Sequence, residues 1–261
     1  MTGTRVRHRG SSARRLPPVD DHFIAEGSRV EVVRGRLVMA PPADEPHGRA
    51  HLTLAYVLGA HVASGWVCAV DMLTRTGHDS DFAPDASVYP EARDPRTGGR
   101  EIEELAFEIA AKQPLKVTTD KARELSRRGV RRVFCVLVLK ARVLEWSATT
   151  DAWSPLADNA VIADRCFVQP LPVGALLDAT RADAAVVAAL TARAHPAIGN
   201  IRARELRAAL LTVFSARGLR PTRAQRATIA AETKPRRLRR WIAQAAVASS
   251  VDEALHLARR R

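Results

Sequence analysis

Between residues 105 and 139 the chain spells out a strand, a helix and a second strand in succession, and this run restricts the possible folds more than any other. Residues 130–139 form a nearly continuous apolar stretch with two arginines at its start, as expected of a central strand buried on both faces of a sheet. Leu105-Ala106-Phe107-Glu108-Ile109-Ala110 is a second apolar segment, and the run from Asp120 to Leu125 between them is helical in character. Thr118 or Thr119 can cap that helix, placing Lys121 in its first turn, and Gly129 stands where helices commonly end. If the two strands are parallel, the connection is a right-handed crossover. The expected fold is α/β, a mixed sheet flanked by helices.

Upstream, residues 18–26 are expected to form a short helix. Val30-Glu31-Val32-Val33, the turn Arg34-Gly35 and Arg36-Leu37-Val38-Met39 read as a hairpin, ended by Pro41-Pro42. From His47 the positions Leu52, Ala55, Leu58 and Val62 keep a helical spacing up to Gly65. Residues 66–73 and 86–89 are further strand candidates, and 143–146 with 152–156 make a closing hairpin. After Pro172 the composition changes. An Ala-rich helix over 175–194 and a linker over 195–200 lead to helices near 201–216, 222–232, 235–248 and 251–258. The expected organisation is a disordered basic leader (1–17), a sheet domain (18–178), a helical linker (179–200) and a basic all-helical appendage (201–261).

The chain has 261 residues, 46% of them hydrophobic, enough for a sizeable core. No apolar run approaches the roughly 18 residues of a membrane span, and residues 16–21 turn polar where a secretory signal would be apolar, so a cytoplasmic protein is expected, with no membrane partner. Cys68, Cys135 and Cys166 are far apart and form no zinc or disulfide pattern. The net charge of +13 is uneven: about +5 lies in residues 1–15, about +11 in 200–261, and the middle carries about −3. The run Lys234-Pro235-Arg236-Arg237-Leu238-Arg239-Arg240-Trp241 sets basic residues beside an aromatic one, as nucleic-acid contacts often do. Leu238, Trp241, Ile242 and Ala245 sit at helical spacing and read as core, leaving Arg236, Arg237, Arg239 and Arg240 on the solvated face.

Asp85 and Glu108 each lie in an apolar, strand-like segment, where an uncompensated charge costs several kcal/mol, on the order of the penalty for burying an ion. A bound cation is one compensation. Glu31 followed by Gly35-Arg36-Leu37-Val38-Met39, then Pro41-Pro42 and His47, Pro84-Asp85, Phe107-Glu108-Ile109, and Lys121 ahead of Gly129-Val130 and an apolar strand, resemble the Uma-two family of restriction-endonuclease-like proteins. That family belongs to the PD-(D/E)XK nuclease superfamily, and the resemblance spans about residues 20 to 178. It implies a restriction-endonuclease-like fold, a divalent-metal-dependent phosphodiesterase acting on DNA, and makes a homodimer reasonable.

Magnesium, or manganese in its place, takes oxygen ligands, for which Asp85, Glu108 and the carbonyl of Ile109 are candidates. Lys121 would orient the attacking water or offset charge on the phosphate oxygens, and Glu31 would add a ligand or a base. His47 is a possible auxiliary, and Lys112 a nearer competitor of Lys121. The sequence departs from the superfamily at Ala110, where a lysine often stands, and in residues 110–114, which lack a small hydroxyl residue. A rival reading is a non-catalytic binding module that keeps the nuclease fold and docks nucleic acid or a protein, since the middle of the chain is not basic.

Overall fold

The computed structural model describes residues 15–256 apart from 26, 40–42 and 113. Most of the expected basic leader, the prolines after the first hairpin and the end of the last helix therefore lie outside the described residues. The chain divides into two compact units between Ala189 and Leu190. Among the described residues no helix is long and apolar enough to cross a membrane.

The first unit opens with the hairpin β1 (Val30–Val33) and β2 (Arg36–Met39), helix α1 (Glu45–His61) and strand β3 (Trp66–Val70). Two short strands, β4 (Thr74–Arg75) and β5 (Asp81–Phe82), precede β6 (Ala86–Pro90) and β7 (Leu105–Ala110). Helix α2 (Leu115–Arg128) then leads to β8 (Arg132–Leu137), β9 (Arg142–Ser147) and β10 (Ala152–Pro155), and β11 (Val161–Ile162) pairs with β12 (Leu171–Pro172). Helix α3 (Ala179–Ala192) follows. The main sheet runs β10-β9-β8-β7-β6-β3, and β7 and β8 are its one parallel pair among the described residues, joined through α2 as the strand–helix–strand pattern requires. A second sheet, β2-β1-β5-β4, carries the hairpin.

Period-two alternation along β7 puts Ala106, Glu108 and Ala110 on one face and Phe107 and Ile109 on the other. Ala106 packs with Val133, Trp146 and the α2 residues Ala122 and Leu125, so the Glu108 face is the one α2 covers. Burying a side chain such as Leu125 contributes roughly 1.5–3 kcal/mol. On the opposite face Phe107 stacks on Phe134, ring centroids 4.9 Å apart.

Several local expectations change. Residues 18–25 form turns and not a helix, because the buried Asp81 carboxylate accepts the Phe23 and Ile24 N–H groups and Val19 gives its carbonyl to Arg75. Helix α2 begins at Leu115 behind Pro114, four residues before Thr119, whose hydroxyl instead donates back to the Leu115 carbonyl. Its other end is as expected: Gly129 at φ 116° closes the helix through the Leu125 and Ser126 carbonyls, a conformation that favours glycine.

In the second unit α4 (Pro196–Ala216) starts inside the expected linker, with His195 as cap and Pro196 in the first turn, where a missing N–H costs nothing. Helices α5 (Arg223–Ala231), α6 (Pro235–Ala245) and α7 (Val251–Leu255) complete it. Leu210, Phe214, Ile229, Leu238, Trp241 and Leu255 form its core.

Candidate active site

A cleft of about 840 Å³ opens in the first unit, and Glu31, His47, Asp85, Glu108, Lys112 and Lys121 all line it. Alternation along β1 turns Glu31 and Val33 inward. The Glu31 carboxylate accepts the Ala83 N–H at 3.0 Å, which ties β1 to the loop before β6.

Lys121 lies in the second turn of α2, on its buried side with Thr118, Ala122 and Leu125, and so does not sit against the positive end of the helix. Its ammonium is 2.9 Å from Glu31 Oε2, 3.2 Å from the Ala83 carbonyl and 3.5 Å from Glu108 Oε2. Burial works against its charge, but the carboxylates of Glu108, Glu31 and Asp85 outweigh it and hold the Lys121 pKa above the ordinary lysine value. Glu108 is pushed up to about 8, first by burial and then by Asp85 and Glu31, with Lys121 opposing. Its Oε1 is buried and has no hydrogen-bond partner among the described residues.

Asp85 follows Pro84 just ahead of β6. Its Oδ2 accepts the Ile109 N–H at 2.5 Å, past the point where β6 and β7 stop pairing. The N–H and carbonyl of one strand residue face the same neighbour, so the Ile109 carbonyl turns toward the Asp85 side as well. Asp85 Oδ1 lies 3.3 Å from His47 Nε2. His47 is fixed in the first turn of α1, where Asp44 caps its N–H at 3.1 Å, and the Asp85 carboxylate raises its pKa. Lys112 ends elsewhere: it is mostly exposed and pairs with Asp44 Oδ2 at 2.9 Å. The lysine that reaches the buried acids is Lys121.

The family model for Uma2, described as "Putative restriction endonuclease", matches residues 14–162. The chain belongs to the Uma2 family. Every cleft residue named above falls inside that match. The chain is also similar to a solved structure described as "a putative nuclease belonging to DUF820 from Anabaena variabilis ATCC 29413", with 14% identity over 59% of this chain and 90% of that one and a TM-score of 0.48. No curated protein matches it.

Two cleft residues of this Uma2 chain were not singled out in its sequence. His51 stacks on His47 one turn along α1, with centroids 6.2 Å apart and planes 17° from parallel, and Asp71 Oδ1 lies 3.3 Å from His51 Nε2. The i, i+4 spacing of the histidines was a readable signal for His51. Asp71 had none, since it sits just past β3 and is brought in when its N–H bonds to the Asp85 carbonyl at 3.4 Å.

The four arginines of α6 lie beyond the Uma2 match. Arg236, Arg239 and Arg240 are exposed and pair with no acid among the described residues. Arg237 is also exposed, but it pairs with Glu232 at 3.2 Å and lies over the Trp241 ring.

Proposed function

We propose that the cleft is the active site of a divalent-metal-dependent endonuclease that hydrolyses DNA phosphodiester bonds. The observation that carries this reading is Lys121 held between Glu31 and Glu108 while Glu108 Oε1 stays buried and has no partner among the described residues, because a buried carboxylate oxygen without a donor is an available ligand. Asp85 and Glu108, with the Ile109 carbonyl, fit an oxygen-preferring ion such as Mg2+ or Mn2+. Such an ion supplies Lewis acidity toward the scissile phosphate and lowers the pKa of an attacking water.

The protein groups divide the remaining work. Lys121 keeps a fixed positive charge beside the two acids, where it orients a water or offsets charge on a phosphate oxygen. Glu31 spends its oxygens on Lys121 and the Ala83 N–H, so it acts by positioning Lys121. His47 holds Asp85 from the side away from Ile109. Arg236, Arg239 and Arg240 in the second unit, exposed and paired with no acid among the described residues, offer guanidinium groups to the phosphate backbone. Arg237 adds to that basic face.

Cleavage of plasmid and single-stranded DNA by the purified protein and by Glu108→Ala, with Mg2+ or Mn2+ and with EDTA, tests the proposal. Metal-dependent cleavage by the wild type and its loss in the variant are expected. Equal traces overturn the enzyme reading, and DNA binding without cleavage favours a non-catalytic module.

A further inference from the structure

We propose that the outward face of the hairpin β1–β2, with Leu37 and Met39 at its centre, is an apolar wedge that holds open a base step beside the cleft, so that the substrate is duplex DNA unstacked at one step. This deepens the active-site reading and rests on it for DNA as the substrate. Glu31 and Val33 point inward, and their antiparallel partners Val38 and Arg36 share that side. Val30, Val32, Leu37 and Met39 therefore share the other.

Such a hairpin ordinarily turns its apolar side chains to the core and its polar ones to water. Here the pattern is partly reversed: a carboxylate faces in, while Leu37 and Met39 are 76% and 67% exposed. A contiguous exposed apolar patch marks a surface with a partner.

Position and charge identify that partner. Val30 and Met39 line the cleft that holds Glu108 and Lys121, so the patch begins at its mouth. Arg29 lines the same cleft and Arg36 precedes Leu37; both are exposed and pair with no acid among the described residues. Apolar side chains set between arginines suit a ligand with apolar base faces and an anionic backbone. A second copy of this chain would instead bring the same two arginines to the contact, like charge against like.

The buried acids give the wedge its task. The Lys121 and Glu108 side chains are 10% and 6% exposed, so a phosphate reaches them only by entering the cleft. A stacked duplex is stiff, and parting one base step is how a strand bends sharply; inserted Leu or Met side chains fill the parted step. Among the described residues no Phe, Tyr or Trp lines the cleft, and such rings are the platforms on which single-strand binders stack successive bases. Duplex DNA opened at one step is the form that fits.

Binding of the full chain in EDTA to one sequence in three forms tests the wedge: a matched duplex, a duplex with one central mismatch and a single strand, each with 2-aminopurine at the central step. A mismatched step costs less to unstack, so wild type is expected to bind that duplex at least about 10-fold tighter than the other two forms and to raise its 2-aminopurine fluorescence. The double variant Leu37→Thr, Met39→Thr keeps strand propensity and should keep its circular dichroism while losing both the preference and the fluorescence rise. A wild type without the preference, or a double variant that retains it, overturns the proposal. So does a wild-type dimer in sedimentation that the double variant turns into a monomer, which assigns the patch to a second copy. Mismatch preference without metal-dependent cleavage sinks the nuclease assignment alone. Metal-dependent cleavage that Glu108→Ala abolishes, with equal wild-type binding to all three forms, sinks the wedge alone.

Discussion

In the first unit Lys121, Glu31 and Glu108 are buried against one another, whereas in the second unit Leu238 and Trp241 fill the interior and the arginines of α6 stay outside. The second arrangement is the stable default: apolar atoms leave water and charges keep their hydration. The first spends stability on desolvation, which a fold retains where the charges have a task. The contrast predicts that charge changes act strongly in the cleft and weakly on α6, with the reverse for apolar truncations.

The largest effect is expected at Lys121. Lys121→Met leaves Glu31 and Glu108 facing each other without a counter-charge and should destabilise the first unit by about 3–5 kcal/mol, read from urea unfolding. A loss as small as that of Arg239→Ala would break the comparison. Trp241→Ala opens a cavity in the smaller core and should lower the second unit's stability by about 3–5 kcal/mol while leaving metal-dependent cleavage in place. Loss of cleavage while the first unit stays folded would contradict it.

A smaller, pH-dependent effect follows from Glu108. Its folded-state pKa stands at about 8 against an ordinary 4.5, so the stability lent by the protonated carboxyl is full below about 4.5 and is lost as pH rises through about 8. In EDTA, wild-type Tm should therefore fall relative to that of Glu108→Gln by a few degrees between about pH 5 and about pH 9. Parallel profiles would mean that Glu108 is not a buried, proton-bearing group.

The smallest effect on stability, and a clear one on binding, is expected from α6. Replacing Arg236, Arg239 and Arg240 by alanine should leave the melt nearly unchanged and reduce the slope of log affinity for DNA against log salt by about 2–3, as loss of up to three phosphate contacts requires. We also expect a chain ending near His195 to keep the cleft chemistry with the same flattened slope. An unchanged slope would make these arginines a solvated surface only.

Much of this contrast was legible in the sequence because it follows from periodicity. Period two put Glu108 on a face opposite Phe107 and Ile109, and the spacing of Leu238, Trp241 and Ala245 gave the α6 core. Lys121 and Lys112 competed on sequence, since both follow β7 closely; the start of α2 at Leu115 decides between them by putting Lys121 on the buried side. Short strands such as β4 and β5, two residues each, carry no period to read. The His51–Asp71–Asp85 grouping was hidden because it depends on a left-handed turn and one backbone hydrogen bond between loops.

The most direct test of the central claim is single-turnover DNA cleavage by wild type and Asp85→Asn at saturating Mg2+ or Mn2+. Asparagine keeps an acceptor for the Ile109 N–H and so preserves the local fold while removing the charge. The account predicts metal-dependent cleavage by the wild type and a rate at least about 100-fold lower in the variant, with unchanged circular dichroism, as expected when a metal ligand is lost. Equal rates in the two proteins, or the same cleavage with EDTA present, would contradict it.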